Sequence, residues 1–233
     1  CGTVSAQQIV EWSDLQTITD NSRRTVYYKK GRKQPLRGKY RIIRGLDEEC
    51  VKFSVGMING DYRRYRDGVL RESGIYAKGK RNSTFTEYYQ DGVTPRKETP
   101  MQQGKIDGTV KTYFRNGKIE AEKEYKQSVE SGRERRFDSK TGEQIFESHY
   151  IDGKKDGEEW EIFEDASTLR SRIIRHYRNG KLDGSYRVES TRDGKPYITI
   201  EGQYTDGEKS GQWIEHNYDN NTQTCTWHGE GGA

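Results

Sequence analysis

Apolar positions fall on a slow, regular beat along an otherwise polar chain. Phe53, Tyr76, Met101, Tyr125, Tyr150, Tyr177 and Tyr204 recur at nearly constant intervals, and Tyr28 stands at the head of the series. Three residues after each comes the first position of a five-residue frame. Five copies read Gly-x-x-x-Gly: Gly56–Gly60, Gly104–Gly108, Gly153–Gly157, Gly180–Gly184 and Gly207–Gly211. Degenerate copies at Gly79–Ser83 and Ser128–Gly132 fill the gaps, so successive frames begin 23, 25, 24, 25, 27 and 27 residues apart. That spacing identifies a tandem-repeat chain with a unit of about 25 residues. A second apolar position follows nine residues beyond several of the first, at Tyr62, Phe85, Val110, Tyr186 and Trp213, whereas Trp160 stands ten beyond Tyr150, one step out of register.

The frame predicts hairpins. Asn or Asp followed by Gly is the strongest short turn signal, because both residues tolerate positive φ, and eleven such dipeptides occur. Read as turns at both ends of the strands, they give two antiparallel strands per unit. Tyr204 and Trp213, Tyr177 and Tyr186, and Phe53 and Tyr62 then flank turns and pair across them, each pair contributing up to about 1 kcal/mol. A single unit cannot bury its own stripe, so stability has to come from stacked neighbours. A helical repeat is excluded, since each interior glycine would cost it about 1 kcal/mol. The predicted fold is all-β: an elongated, twisted, single-layer antiparallel sheet of tandem hairpins over residues 28–218. Residues 7–27 read as an N-terminal cap with a strand or two, and residues 219–233 as a polar, frayed tail. The insertion at 165–170 lengthens one loop and accounts for a spacing of 27.

Composition fits a thin sheet. Only 29% of the residues are hydrophobic, and Leu, Ile, Val and Phe together number 38 of 233, which borders on disorder. Against disorder stand a net charge of only +4, 16 Tyr and 4 Trp. With 41 basic and 37 acidic residues the charge reads as a solvated sheet face, and no nucleic-acid partner is expected. No apolar run approaches the roughly 18 residues of a membrane span. Val4-Ser5-Ala6 has the small-x-small form of a signal-peptidase site, so residues 1–6 read as a signal-peptide remnant. Alternatively, Cys1 is the acylated first residue of a lipoprotein, and the segment is then a lipid anchor. Both readings place the protein outside the cytoplasm, periplasmic or on the outer envelope, with a cytoplasmic location as the alternative. Cys50 and Cys225, far apart along such a sheet, are expected to be free thiols, because a disulfide needs Cα atoms within about 7 Å.

Tyr177-Arg-Asn-Gly180-Lys-Leu-Asp-Gly184-Ser-Tyr186 resembles the MORN repeat variant, a repeat widespread in bacterial proteins, many of them labelled YwqK-type antitoxins. The resemblance covers residues 28–218 and is clearest at 104–117 and 150–213; the units near 83, 128 and 160–175 depart from it. It implies an elongated, twisted antiparallel sheet of hairpins that serves as a scaffold.

Catalytic motifs are missing from the sequence. His149 and His176 occupy the same repeat slot and so read as registered sheet positions rather than a metal pair. Asp107, Asp156 and Asp183 sit in frames where turn formation explains them, and a single-layer sheet offers little burial to tune a catalytic carboxylate. No catalytic, cofactor-binding or metal-binding residue is assigned, and no cofactor is expected. The expected function is a non-catalytic, exported interaction scaffold that binds a protein partner through its sheet surface. The alternatives are binding of envelope glycan through Tyr/Trp rows and an antitoxin-like intracellular interaction module. Tyr150, Trp160, Tyr177, Tyr186, Tyr204 and Trp213 are the candidate contact surface, with Tyr204 and Trp213 foremost. Exposed rings in register favour glycan binding, and buried rings favour the scaffold.

Overall fold

The computed structural model describes residues 7–21, 23–164, 170–192, 195–217 and 221–229. Residues 1–6, which carry the export and lipid-anchor readings, and 165–169 of the loop insertion lie outside them. The chain divides into two compact units. The first runs to Ile119 and takes in Lys126–Ser128; the second comprises Glu120–Tyr125 and the chain from Val129 onward.

In the first unit, β1 (Gln8–Glu11) passes through a 3-10 turn at Trp12–Asp14 into the hairpin of β2 (Leu15–Thr19) and β3 (Thr25–Lys29). A meander follows: β4 (Gly38–Arg44), β5 (Asp47–Ser54), β6 (Met57–Arg66), β7 (Val69–Ala77), β8 (Lys80–Arg81), β9 (Thr84–Tyr88), β10 (Pro95–Gln102), β11 (Lys105–Ile106) and β12 (Gly108–Tyr113). Its neighbours pair antiparallel, while β1 lies parallel to β4. Next comes β13 (Ile119–Lys126), which contributes Glu120–Tyr125 to the second unit. The second unit continues with β14 (Val129–Phe137), β15 (Gln144–Ile151), β16 (Lys154–Lys155), β17 (Gly157–Glu164), β18 (Arg170–Arg178), β19 (Lys181–Arg192), β20 (Lys195–Thr205), β21 (Glu208–Asn217) and β22 (Thr222–His228). From β14 onward each long strand pairs antiparallel with the next. Both units are therefore antiparallel hairpin sheets, and the fold is all-β.

The two ends of the frame do different jobs. At its start, two consecutive residues have positive φ, as in Asn179 (51°) with Gly180 (87°) and Asp206 (53°) with Gly207 (97°). This is the two-residue primed turn whose twist matches a hairpin. Its end is a bulge in the returning strand. Tyr177 pairs with Leu182 and Arg175 with Tyr186, so Asp183, Gly184 and Ser185 lie opposite His176 alone, with Gly184 at φ 117°. The frame, expected to form a single turn between its flanking aromatics, thus resolves into one turn and one bulge, because the second glycine relaxes a strand already under way.

Successive turns are stitched together. From the second frame on, the first residue donates its N–H to the carbonyl at the third position of the preceding frame: Gly79 to Ile58, Gly104 to Arg81, Ser128 to Ile106, Gly153 to Glu130, Gly180 to Lys155 and Gly207 to Leu182, at 2.7–2.8 Å. The Asn or Asp at the fourth frame position adds a second stitch. Asn59 accepts from the Lys78 N–H, Asn82 from Gln103 and Asp156 from Asn179, at 2.9–3.0 Å. These side chains cap the next turn rather than forming their own, which revises the reading of Asp156.

Most of the core lies in the first unit, where Leu15, Leu36, Tyr40, Val51, Phe53 and Phe85 belong to one buried cluster. The β2–β3 hairpin packs on that cluster as a partial second layer, so this unit is more than the single layer expected. Backbone bonds among Tyr27, Leu36 and Gly56 tie the hairpin to the first frame. Gly56 is required there twice over: its φ is 74°, and a Cβ would stand 2.4 Å from Val26. At the far end, Thr222–His228 is a strand where a frayed tail was expected. Alternating threonines favour extended backbone, and β21 offers a free ladder.

Candidate functional site

Alternation along the paired strands gives each sheet two faces. One, the ring face, takes both aromatic positions of the repeat. In the first unit, Tyr62, Tyr76 and Phe85 meet as a triplet with centroids 5.3–6.0 Å apart. In the second unit, Tyr186, Tyr204 and Trp213 form the same triplet at 5.2–5.7 Å. Each triplet lies over a glycine. A Cβ on Gly74 would meet the Phe85 ring at 2.7 Å, and one on Gly202 would meet Trp213 at 2.3 Å. Phe85 is left 1% exposed and Trp213 5%, and burial raises the phenol pKa values of Tyr62 and Tyr186.

In two repeats of the second unit the ring slot holds a carboxylate, which sequence alone did not single out. Nine residues beyond Tyr125 and Tyr150 stand Glu134 and Glu159, on the same beat as Tyr186 and Trp213. Both are buried, Glu159 at 1% exposure. Tyr177 donates its hydroxyl to Glu159 at 3.3 Å, Arg175 reaches the same oxygen at 3.0 Å, and Lys155 closes on the other. Around Glu134 the same parts recur: the Tyr150 hydroxyl at 3.0 Å, Lys123 at 3.1 Å and Arg136 at 2.8 Å. Burial opposes ionisation of Glu134, but hydrogen bonds from Arg136 and Lys123 outweigh it and hold the carboxyl below its usual range. Burial, followed by the Glu134 charge, pushes the Tyr150 phenol up to about 12. In these two repeats a neutralised carboxylate fills the place of the ring, and a tyrosine bonds to it. The beat itself was the signal that could have revealed these residues.

The proposed contact residues therefore separate. Tyr150, Tyr177, Tyr186, Tyr204 and Trp213 lie on the ring face, half-buried or buried in these clusters. Trp160, one step out of register, faces the other way; it is half-buried, pairs across the strands with Ile174 and carries the Arg172 guanidinium 4.4 Å from its ring centroid.

That outer face of the second unit holds a groove of about 610 Å³. Ile174, 8% exposed, and Ile214 supply its apolar floor, and Glu158, His176, Ser185, Arg187, Glu201, Gln203 and Gln212 supply polar walls. The bulge at Asp183–Ser185 sets the walls, bringing the exposed Ser185 hydroxyl 2.9 Å from His176 Nδ1. On its other side, His176 Nε2 stands 3.7 Å from Glu158. His216 pairs with Glu201 at 3.1 Å, and His149 stands 3.7 Å from Glu147 on the same face. His149 and His176 are neighbours in register, as their slot implied, but each has its own carboxylate. Among the described residues, no group of three or more His, Cys, Asp or Glu is placed to hold a metal ion. No helix there is long and apolar enough to cross a membrane. Cys50 and Cys225 are free thiols. The groove offers hydrogen-bond donors and acceptors at fixed spacing around an apolar floor, an arrangement suited to recognition. The chain matches no protein-family model and no curated protein.

Proposed function

We propose that this chain is a non-catalytic interaction scaffold of the MORN-variant type, exported to the cell envelope, that binds a protein partner across the outer face of its second unit. One observation carries this reading: the aromatic rows are spent on packing. Trp213 is 5% exposed and lies flat on Gly202, so it has no free face on which to stack a sugar. The outer face presents polar groups around Ile174 and Ile214, with Trp160 alongside, and an extended peptide segment can match that alternation of donors, acceptors and a small apolar floor.

The test is capture from an envelope fraction by the purified chain, compared with the Arg187→Glu/Gln212→Arg variant. Both positions are exposed, so folding is expected to be unchanged by circular dichroism. The reading requires one protein to be retained by the native chain and lost from the variant. Sedimentation with purified peptidoglycan, abolished by the same variant, would move the assignment to glycan binding. Covalent labelling of Ser185 by a fluorophosphonate, dependent on His176, would overturn the non-catalytic reading.

A further inference from the structure

The outermost strand of the second unit among the described residues, β22, is built unlike its neighbours. Six of the seven residues of β22 are exposed, and Trp227 is 75% exposed. Its ladder to β21 runs unbroken from Gly211–His228 to Asn217–Thr222, with no bulge to twist the edge away. Every other strand of this unit contains Lys, Arg, Asp or Glu, whereas Thr222-Gln-Thr-Cys-Thr-Trp-His228 contains none and has no proline. Charge, proline and bulges are the usual devices that keep a sheet edge from pairing, and β22 has none of them.

We infer that two copies of this chain join edge to edge through β22, as an antiparallel pair centred on Cys225. The strand is complementary to itself about that residue. Thr224 meets Thr226 of the second copy on the ring side, a favourable cross-strand pair. Gln223 meets Trp227 of the second copy on the outer side, and Cys225 meets its own equivalent. A two-fold axis normal to the sheet keeps ring side beside ring side, so every pair is matched in polarity and no charge is left facing an uncharged edge. A charged partner strand would not achieve that match, and this singles out a second copy as the occupant. Residues directly opposite in an antiparallel pair have Cα atoms about 4.5–5.5 Å apart, within the reach of a disulfide.

The experiment uses the full chain with Cys1 and Cys50 changed to serine. Under reducing conditions, sedimentation equilibrium is expected to show a reversible dimer, weakened at least ten-fold by Thr224→Lys/Thr226→Lys. If circular dichroism shows that variant to be misfolded, Gln223→Lys/Trp227→Lys replaces it. Diamide then serves as oxidant: two Cys225 thiols lose two protons and two electrons, diamide becomes the hydrazine, and one S–S bond links the copies. A covalent dimer is expected from the parent chain, and none from Cys225→Ser or the lysine variants. A monomer at the highest soluble concentration overturns the inference. So does a dimer indifferent to the lysine substitutions, or cross-linking that survives them. Pairing of a monomeric chain with a foreign extended peptide would assign the edge to another partner and overturn it equally.

Discussion

Replacing Glu159 with glutamine tests whether a carboxylate can serve as the core of a repeat whose neighbours use a ring. The substitution keeps volume and removes charge. Glu159 accepts from Tyr177, Arg175 and Lys155, so the variant leaves two cations without their shared counter-charge. Breaking a fully buried ion pair by removing one member costs about 3–5 kcal/mol. Here the side chains of Lys155 and Arg175 are 30% and 22% exposed and retain some water, which brings the expected loss to about 2–3 kcal/mol. Glu161 is the internal control. It also pairs with Arg175 but is 37% exposed, so Glu161→Gln should cost less than about 1 kcal/mol. Urea unfolding at neutral pH, followed by circular dichroism, gives both values from the midpoint shift at constant slope. A loss below about 0.5 kcal/mol for Glu159→Gln, or one equal to that of Glu161→Gln, would refute the reasoning and leave the carboxylate as a bystander.

Three further predictions probe the same architecture. Gly202→Ala places a methyl 2.3 Å from the Trp213 ring and should destabilise by about 1–3 kcal/mol in thermal unfolding, whereas Gly229→Ala, with open space around it, should be silent. Glu134 is held below its ordinary 4.5, so its contribution is complete above that pH and disappears as pH falls through the depressed value; the stability gap between native chain and Glu134→Gln should close in acid. Tyr150 moves the opposite way, from 10.0 up to about 12, so its contribution is intact below pH 10 and lost as pH climbs toward 12. Tyrosinate absorbance should therefore show a late-titrating group of phenols, Tyr62, Tyr150 and Tyr186 among them, and Tyr150→Phe should remove one phenol from that group.

The architecture was legible because glycine is a poor substitute for anything else. Positive φ at Gly180 and Gly207 leaves a visible mark in the sequence, and repetition of that mark gave the hairpins, the unit length and the ring positions. Three things escaped. The second glycine of the frame was counted as a turn signal, since a bulge and a turn ask for the same residue; only the register of Tyr177 and Arg175 with β19 separates them. Asp156 was credited to its own turn because its partner, the Asn179 N–H, is 23 residues away. The β22 strand was taken for a tail because threonine and glutamine look like loop residues until a neighbour offers a ladder.

The candidate site was harder to read, for a related reason. Aromatic side chains signal both packing and binding, and sequence cannot say which face they turn to. In this chain one residue decides. Trp160 departs from the beat by a single position, and because side chains alternate, that step moves it to the opposite face while Glu159 takes the ring slot. A buried carboxylate and an outward tryptophan are thus two consequences of one register choice. The groove lies beside that choice, on the strand pairs that follow it. Its lining residues, His176, Ser185 and Gln203 among them, occupy outer positions of their strands. Repetition constrains the ring face and leaves the outer face free to vary, so the partner binding we propose falls on the side of the sheet that the repeat does not need for stability.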